Sequence, residues 1–270
     1  NETFIENQKR LVLFTFLADV VAIALSYLVI RRNNRKLQAD SLARMQSFLA
    51  DASHELRTPL TVINGFLEIA NSEPNLDESS RQKHIKLMVE QGKRMQNLIE
   101  DMLVLTRLES IDYPVRDEFV DIRHLLDEVH IEAQALSNNR HKLSLTCDGP
   151  DILGGTEELR SAFSNLVSNA IRYTPDGGEI AIAWRKTVQG LAFSVKDNGI
   201  GIKQENLARL TERFYRVDKG RSRETQGTGL GLAIVKHVLM RHNARLQIES
   251  ELGKGSVFTI QFPESLAPAA

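Results

Sequence analysis

Apolar residues near the start of the chain form one almost unbroken run. Residues 11–30 are apolar throughout except for a few polar positions, and Asp19 is the one charged side chain among them. About 20 such residues match the thickness of the hydrocarbon core of a bilayer, so this pattern predicts a transmembrane helix. The basic flank at residues 31–36 is stronger than the pair Lys9–Arg10. This asymmetry places the C-terminal side of the predicted span in the cytoplasm.

A buried core helix and a cleaved signal peptide are the two alternatives for this run. A signal peptide has a shorter apolar stretch and a cleavage site of small residues, and the flank RRNNRK does not resemble one. Because a carboxylate inside a bilayer is costly, we expect Asp19 to be protonated or to face a partner helix. Residues 31–43 then form a juxtamembrane linker.

A helical period follows from about residue 44. Apolar residues recur there every three or four positions, and after a polar break at residues 71–75 a second such run begins near Asp77. The two runs predict an antiparallel helical hairpin over residues 44–110. One hairpin cannot cover both broad apolar stripes, so we expect a four-helix bundle in a homodimer.

Helical and strand patterns alternate beyond Tyr113–Pro114, which predicts a second domain at residues 116–265. Because the last strands read as hairpin neighbours, the pattern favours an α/β sandwich over a doubly wound sheet, and the fold class of the chain is α+β. The predicted helices are Val120–Ser137, Thr156–Tyr173 and Leu230–His242. The predicted strands are His141–Cys147, Glu179–Trp184, Leu191–Lys196, Arg245–Ser250 and Ser256–Phe262.

Composition excludes some classes of protein. The formal net charge is −1 over 270 residues, which argues against a nucleic-acid partner, since such proteins carry a basic excess. The chain has one cysteine, which excludes a disulfide framework and a Cys-based zinc site within one chain.

His54 is a candidate nucleophile on the first hairpin helix. It lies off the apolar stripe, so we expect it to face solvent, and Thr58 lies one turn further on the same face. Pro59 removes the helical hydrogen-bond partner of the Glu55 carbonyl, which lets the helix bend beside His54. Glu55 can accept the imidazole N–H and make the other ring nitrogen a better nucleophile. A lone exposed histidine is usually only a surface residue, and these neighbours are what distinguish this one.

The helix predicted at Thr156–Tyr173 carries a polar face. Asn165, Asn169 and Arg172 follow one another at the spacing of one helix face. Amide oxygens of the two asparagines suit magnesium, which prefers hard oxygen ligands. Asparagine pairs are also common on surface helices, so this spacing alone does not establish a metal site.

Asp197 ends an apolar strand and begins the string Asp-Asn-Gly-Ile-Gly. Its carboxylate can accept a hydrogen bond from the exocyclic amine of adenine, and Gly199 and Gly201 let the backbone come close to a ligand. The same string also makes an ordinary turn after a strand.

A polar segment and a glycine-rich segment follow. Residues 217–226 indicate either a solvated loop or a lid over phosphates, with Arg216 and Lys219 as the expected contacts. A glycine-rich string at the start of a helix holds phosphates with backbone N–H groups. The glycine-rich string of this chain lacks the preceding strand of a Rossmann fingerprint, and the sequence contains no P-loop motif. The expected phosphate-binding residues are Gly227, Thr228, Gly229, Leu230 and Gly231.

The string Ser53–Leu60 (Ser-His-Glu-Leu-Arg-Thr-Pro-Leu) resembles the H-box of the sensor histidine kinases of two-component systems. Four later strings resemble boxes of the same family, in the same order: the N-box at Asn165–Tyr173, the G1 box at Asp197–Gly201, the F-box at Glu212–Arg216 and the G2 box at Gly227–Leu232. The resemblance covers residues 44–263. It is closest to the phosphate-regulon sensor kinase subfamily in residues 210–219 and 229–237, although residues 31–44 leave no room for the PAS sensor domain of such kinases.

The resemblance implies a homodimeric kinase of the bacterial inner membrane with its catalytic domains in the cytoplasm. The second domain would bind ATP and Mg²⁺ in the fold shared by gyrase, Hsp90 and histidine kinases. Asp197 and Tyr173 would hold the adenine, Asn165 and Asn169 the magnesium, and the glycines after the lid the phosphates.

The resemblance also implies a reaction. His54 would attack the γ-phosphorus of ATP with Glu55 as general base. The phosphoryl group would then pass to an aspartate on the receiver domain of a response regulator. Thr58 would orient water for phosphatase activity toward that regulator.

Two other classes of function remain open at this point. An ATPase of the gyrase or Hsp90 type, or an anti-sigma-factor kinase, shares the nucleotide boxes but lacks the hairpin that carries His54. A non-catalytic dimeric scaffold would keep the fold without ATP chemistry. Intact Asn169, Asp197 and glycines argue against the scaffold.

Overall fold

The computed structural model describes residues 2–73, 77–110, 118–217 and 227–267. At positions 2–25, 37, 38, 40, 41 and 44 it describes the backbone alone. The chain divides into two compact units, Asn1–Arg57 and Thr58–Ala270.

Helix α1 extends over Glu2–Ser72 without interruption and contains Pro59. The predicted membrane segment, the juxtamembrane linker at 31–43 and the first hairpin helix are therefore parts of one continuous helix. Four of the six residues in the basic segment 31–36 are arginine or lysine, which have high helix propensity, and neither glycine nor proline interrupts it. Among the residues that the structure describes, no helix has both the length and the apolar character needed to cross a bilayer. Side chains of residues 11–25 lie outside the described part, so the membrane span at 11–30 stays a prediction.

Helix α2 covers Glu78–Glu109 and begins at the predicted position. Asp77 caps it by accepting the N–H of Ser80 at 2.9 Å, and hydrogen bonds from the Ser80 side chain and backbone lower the pKa of Asp77. The aromatic rings of Phe66 on α1 and His84 on α2 lie 4.7 Å apart, as two helices of a hairpin require. Residues 74–76 of the predicted break lie outside the described residues.

The apolar stripes of the hairpin are divided between buried and exposed positions. Leu98, Leu105 and Leu108 of α2 are buried within the second unit. Large apolar side chains elsewhere on the hairpin are exposed, including Leu60, Leu67, Ile85, Val89, Ile99 and Leu103.

The rest of the second unit is an α/β sandwich, which confirms the predicted α+β class. A five-stranded sheet has the order β2-β4-β5-β7-β6, in which β2 and β4 are parallel and all other pairs are antiparallel. Its strands are β2 (Lys142–Cys147), β4 (Glu179–Thr187), β5 (Gly190–Asp197), β6 (Arg245–Glu251) and β7 (Gly255–Phe262). Helices α3 (Ile122–Ser137), α4 (Thr156–Tyr173) and α6 (Gly231–Arg241) form the other layer.

Four short elements of the described residues were not predicted from the pattern. Strands β1 (Glu118–Val120) and β3 (Ile152–Gly154) form a separate antiparallel pair, α5 covers Gln204–Leu207, and a 3-10 helix covers Glu264–Leu266. Helix α3 begins two residues later than predicted because Asp121 caps it, accepting the N–H of His124 at 2.9 Å. The short elements β1, β3 and α5 each have only three or four residues, which are too few to show a helical or strand period.

Aromatic side chains fill the space between α4 and the sheet. Phe163 of α4 stacks on Phe193 of β5 with ring centroids 3.9 Å apart. Trp184 and Phe262 pack around this pair, and all four side chains are buried. This packing fixes α4, which carries the polar face at Asn165 and Asn169, on the sheet.

Candidate functional site

A cavity of about 570 Å³ opens in the second unit beside α4, the end of β5 and the start of α6. This volume is in the range of small-molecule sites. Of the predicted residues, those lining it are Asn165, Asn169, Arg172, Tyr173, Asp197, Gly201, Arg216, Gly227, Thr228, Gly229 and Gly231. The cavity thus collects residues from four motifs that are far apart in the sequence.

The two asparagines of α4 have different surroundings. Asn165 donates its amide N–H to the Ser161 carbonyl at 2.8 Å, and its amide oxygen packs against the start of α6. A Cβ at Gly231 would lie 2.3 Å from that oxygen. Within the part of the chain that the structure describes, the Asn169 side chain makes no hydrogen bond, so its amide oxygen is available to a ligand. Asn165 therefore joins α4 to the glycine-rich string, while Asn169 offers the freer ligand atom.

Asp197 lies at the end of β5 and is buried. Its Oδ1 accepts the N–H groups of Gly199 at 2.9 Å and Ser256 at 3.2 Å. Burial raises the pKa of Asp197, and these two N–H groups oppose the increase. Among the described residues no donor reaches Oδ2, so this second oxygen is available to a ligand.

Two glycines shape the turn after Asp197. Gly199 does not line the cavity, but a Cβ there would lie 2.4 Å from the Tyr173 carbonyl oxygen. That carbonyl accepts the N–H of Ile200 at 3.1 Å, which ties the turn to the end of α4. Gly201 has a φ of +65°, and a Cβ there would lie 2.0 Å from the Glu251 carbonyl oxygen. Both positions require glycine.

The glycine-rich string leads into α6 as predicted. Gly229 has a φ of +75°, and its carbonyl accepts the N–H of Phe214 at 2.9 Å, which links it to the segment resembling the F-box. The Thr228 hydroxyl accepts the N–H of Leu230 at 3.2 Å. Leu230 itself is fully buried and does not line the cavity, so its side chain anchors the string.

Helix α2 also contributes to the cavity, which the sequence did not predict. Asn97, Glu100 and Asp101 line it. Thr228 donates its hydroxyl proton to Oδ2 of Asp101 at 2.6 Å. Burial raises the pKa of Asp101, while the Thr228 hydrogen bond and the charge of Arg172 lower it. Burial also lowers the pKa of Arg172, although the charges of Tyr173 and Asp101 oppose that effect.

The residues of the predicted H-box lie on α1. His54 is exposed, which confirms the prediction from the helical stripe, and Glu55 is half-buried. Both belong to the first compact unit, whereas Thr58 begins the second.

Two predicted features of the site lie partly outside the described residues. Lys219 and the lid from residue 218 to 226 are among the residues not described, so their roles stay predictions. Over the described ranges, no three His, Cys, Asp or Glu side chains cluster as a metal site. Magnesium nevertheless fits the Asn169 amide oxygen, because it is commonly held by one or two protein oxygens together with phosphates and water.

Two family models match the chain. Residues 44–111 match the "His Kinase A (phospho-acceptor) domain" and residues 154–266 match the "Histidine kinase-, DNA gyrase B-, and HSP90-like ATPase". Together they account for the hairpin and for most of the domain that contains the cavity.

Relatives and a solved structure give the same result. The chain is 52% identical to the phosphate regulon sensor protein PhoR of Pseudomonas aeruginosa over 83% of its length and 51% of that protein. It is 40% identical to PhoR of Haemophilus influenzae over 81% of its length and 51% of that protein. The crystal structure of full-length ShkA in complex with AMPPNP has a TM-score of 0.60 and 29% identity, covering 82% of this chain and 46% of that one. The chain spans about half the length of the two PhoR proteins. With both domains present it belongs to the sensor histidine kinase family, and its identity to the two PhoR proteins supports the phosphate-regulon subfamily.

Proposed function

We propose that the chain is an ATP-dependent protein-histidine kinase that phosphorylates His54. The observation that carries this proposal is the single cavity that brings Asn169, Asp197 and the string Gly227–Gly231 together. The same chain presents an exposed histidine inside a sequence that matches the phosphoacceptor domain.

The polarity of the cavity supports ATP as the substrate. Oδ2 of Asp197 can accept a hydrogen bond from the adenine amine, and Tyr173 lines the same cavity. Arg172, Thr228 and the backbone N–H groups at the start of α6 suit the phosphates. Asn169 lies along the cavity wall as a ligand for magnesium, which would neutralise phosphate charge when bound.

The transfer reaction follows from ordinary nucleophilic chemistry. One ring nitrogen of His54 attacks the γ-phosphorus, the bond from that phosphorus to the bridging oxygen breaks, and ADP leaves with the electron pair. The other ring nitrogen then gives its proton to Glu55, the neighbouring carboxylate. Phosphoryl transfer depends mainly on positioning of the reactants and neutralisation of charge, so His54 is the only nucleophile that the proposed reaction uses.

We propose that the phosphoryl group then moves from His54 to an aspartate on the receiver domain of a response regulator. Thr58 lies one helical turn from His54. It would orient a water molecule that dephosphorylates the receiver domain of the regulator. The names of the two PhoR relatives, both sensor proteins, support a signalling role.

We also propose that the chain is a homodimer anchored in the bacterial inner membrane. The exposed apolar residues of the hairpin, such as Leu67, Ile85 and Leu103, would be covered in a four-helix bundle. The apolar run at residues 11–30 and its basic C-terminal flank support one membrane span with the kinase domains in the cytoplasm.

The full chain incubated with γ-labelled ATP and magnesium tests the catalytic part of the proposal. The expected product is a protein-bound phosphate that is lost in acid and stable in base, as a phosphohistidine is. Asn169→Ala should abolish labelling, while Asn71→Ala, on the surface at the end of α1, should not. Hydrolysis of ATP without any labelled protein would instead support a gyrase-type ATPase. Failure to bind nucleotide at all would support the non-catalytic scaffold.

A further inference from the structure

One side of α2 docks onto the domain that contains the cavity. Asp101, Leu105, Leu108 and Glu109 follow one another at intervals that place them along one stripe of the helix. Leu105 and Leu108 are buried between the two carboxylates. Glu109 makes ion pairs with Arg213 and, at 3.1 Å, with His237 of α6.

At the other end of this stripe, Asp101 binds the glycine-rich string directly. The Thr228 hydroxyl already accepts the N–H of Leu230, so its own proton is directed to Oδ2 of Asp101 at 2.6 Å. A bond from a hydroxyl to a carboxylate is among the stronger hydrogen bonds in proteins. Asp101 therefore uses the donor that the string would otherwise offer to a phosphate oxygen.

The charges around Asp101 also bear on the binding of phosphates. Arg172 lines the cavity and is close enough to Asp101 for each charge to act on the other. The charge of Asp101 thus acts on a guanidinium that a phosphate group would also attract. Glu100 lines the cavity as well, so α2 presents two carboxylates to the region where a triphosphate would lie.

We propose that Asp101 competes with the nucleotide phosphates, so that docking of α2 holds the site in a form of low affinity for ATP. Bound phosphates take over Thr228 and Arg172, and α2 is released. The proposal rests on the nucleotide site proposed above and adds to it a residue that sets phosphate affinity from outside the nucleotide-binding motifs.

A role for Asp101 as a second magnesium ligand beside Asn169 is the main rival. The structure favours competition, because Asp101 already binds the Thr228 hydroxyl and feels the charge of the cation Arg172, which would repel a metal ion. The two roles predict opposite effects when the carboxylate is replaced by an amide of the same shape.

Isothermal titration of the full chain with ATP and with adenosine, both in magnesium, separates these possibilities. Asp101→Asn should bind ATP about tenfold more tightly than the wild type and adenosine equally well, because adenosine has no phosphates. Glu109→Gln should also bind ATP more tightly, by a smaller factor, since it loosens the same docking from a distance. Glu100→Gln, which removes a neighbouring charge without breaking a bond to Thr228, should gain at most about twofold. If the asparagine variant is poorly folded by circular dichroism, Asp101→Ser serves in its place.

Weaker ATP binding by the Asp101 variant would overturn the proposal in favour of the metal ligand. Unchanged ATP binding would overturn it too, and so would an equal gain in Glu100→Gln, which would show a general effect of charge. In all three cases the wild type still binds ATP. Absence of ATP binding by the wild type and every variant would instead refute the proposed nucleotide site, and the inference with it.

Discussion

Oδ1 of Asp197 accepts the N–H of Gly199 at 2.9 Å, so the carboxylate that ends β5 also closes the turn that follows it. The same oxygen accepts the N–H of Ser256 on the neighbouring strand β7. One oxygen of Asp197 therefore fixes the backbone, and the other is left for a ligand. This arrangement holds a buried carboxylate in place and leaves one of its oxygens for the base that we propose it binds.

Asp197→Asn should weaken ATP binding about tenfold or more and leave the fold intact. The asparagine oxygen can still accept both backbone N–H groups, but its amide then places a donor where the adenine amine needs an acceptor. Titration with ATP measures the effect, and thermal unfolding is the control for the fold. An unchanged affinity would show that Asp197 has no direct contact with the base.

Gly201→Ala should destabilise the chain by more than about 2 kcal/mol, because it combines a left-handed backbone with a clash against the Glu251 carbonyl. Gly177→Ala is the matched control: its φ is +84°, but nothing lies within 4 Å of the added Cβ. It should lose only about 1 kcal/mol. Chemical denaturation compares the two, and equal losses would mean that the close approach at Gly201 is unimportant.

Phe163→Ala should cost about 4 kcal/mol of stability, because the ring is fully buried and stacked on Phe193. Ile131→Ala removes an exposed side chain from α3 and should change stability by less than about 0.5 kcal/mol. Both values come from denaturant unfolding. A small loss for Phe163→Ala would contradict the role of this ring in fixing α4.

The sequence predicted the elements that have a long, clear period. Helix α4 has the predicted bounds at both ends, and the strands of the main sheet differ from prediction mainly at their ends. Two of the predicted motifs lie at the end of such an element, since Asp197 ends β5 and the glycine-rich string leads into α6. Pairing of β1 with β3 could not be predicted, since three residues show no alternation.

The contribution of α2 to the site could not be predicted for a different reason. Asp101 and Thr228 are 127 positions apart, and Asp101 lies in a helix whose charged residues look like an ordinary solvated face. Only the docking of α2 brings them together. The polar run at residues 31–36 suggested a linker, yet four of its six residues are arginine or lysine, which favour helices, and α1 continues through it.

The ion pairs of Glu109 should make stability depend on pH. Burial raises the pKa of Glu109, but the hydrogen bond from His237 and the charge of Arg213 outweigh this effect and hold it below its ordinary value of 4.5. A carboxyl group of this kind adds stability above about pH 4.5, and the contribution is lost as the pH falls through the lowered pKa. Glu109→Gln should therefore be less stable than the wild type by about 1 kcal/mol at neutral pH, with the difference vanishing in acid.

Thermal unfolding from neutral pH down to about pH 3 measures this difference. Glu179→Gln is the control, because Glu179 pairs with Lys142 on an exposed surface where both side chains are more than half accessible. Its stability difference from the wild type should be small at every pH. If Glu109→Gln gave the same pH profile as the wild type, the Glu109 ion pairs would not contribute to docking.

The location of the phosphate label tests the central claim most directly. The full chain, its His54→Gln variant and its His124→Gln variant are each incubated with γ-labelled ATP and magnesium. His124 is also exposed on a helix, but outside the phosphoacceptor domain. We expect acid-labile label in the wild type and in His124→Gln and none in His54→Gln, while all three bind ATP equally. Label that persists in His54→Gln would contradict the assignment of His54 as the phosphoacceptor.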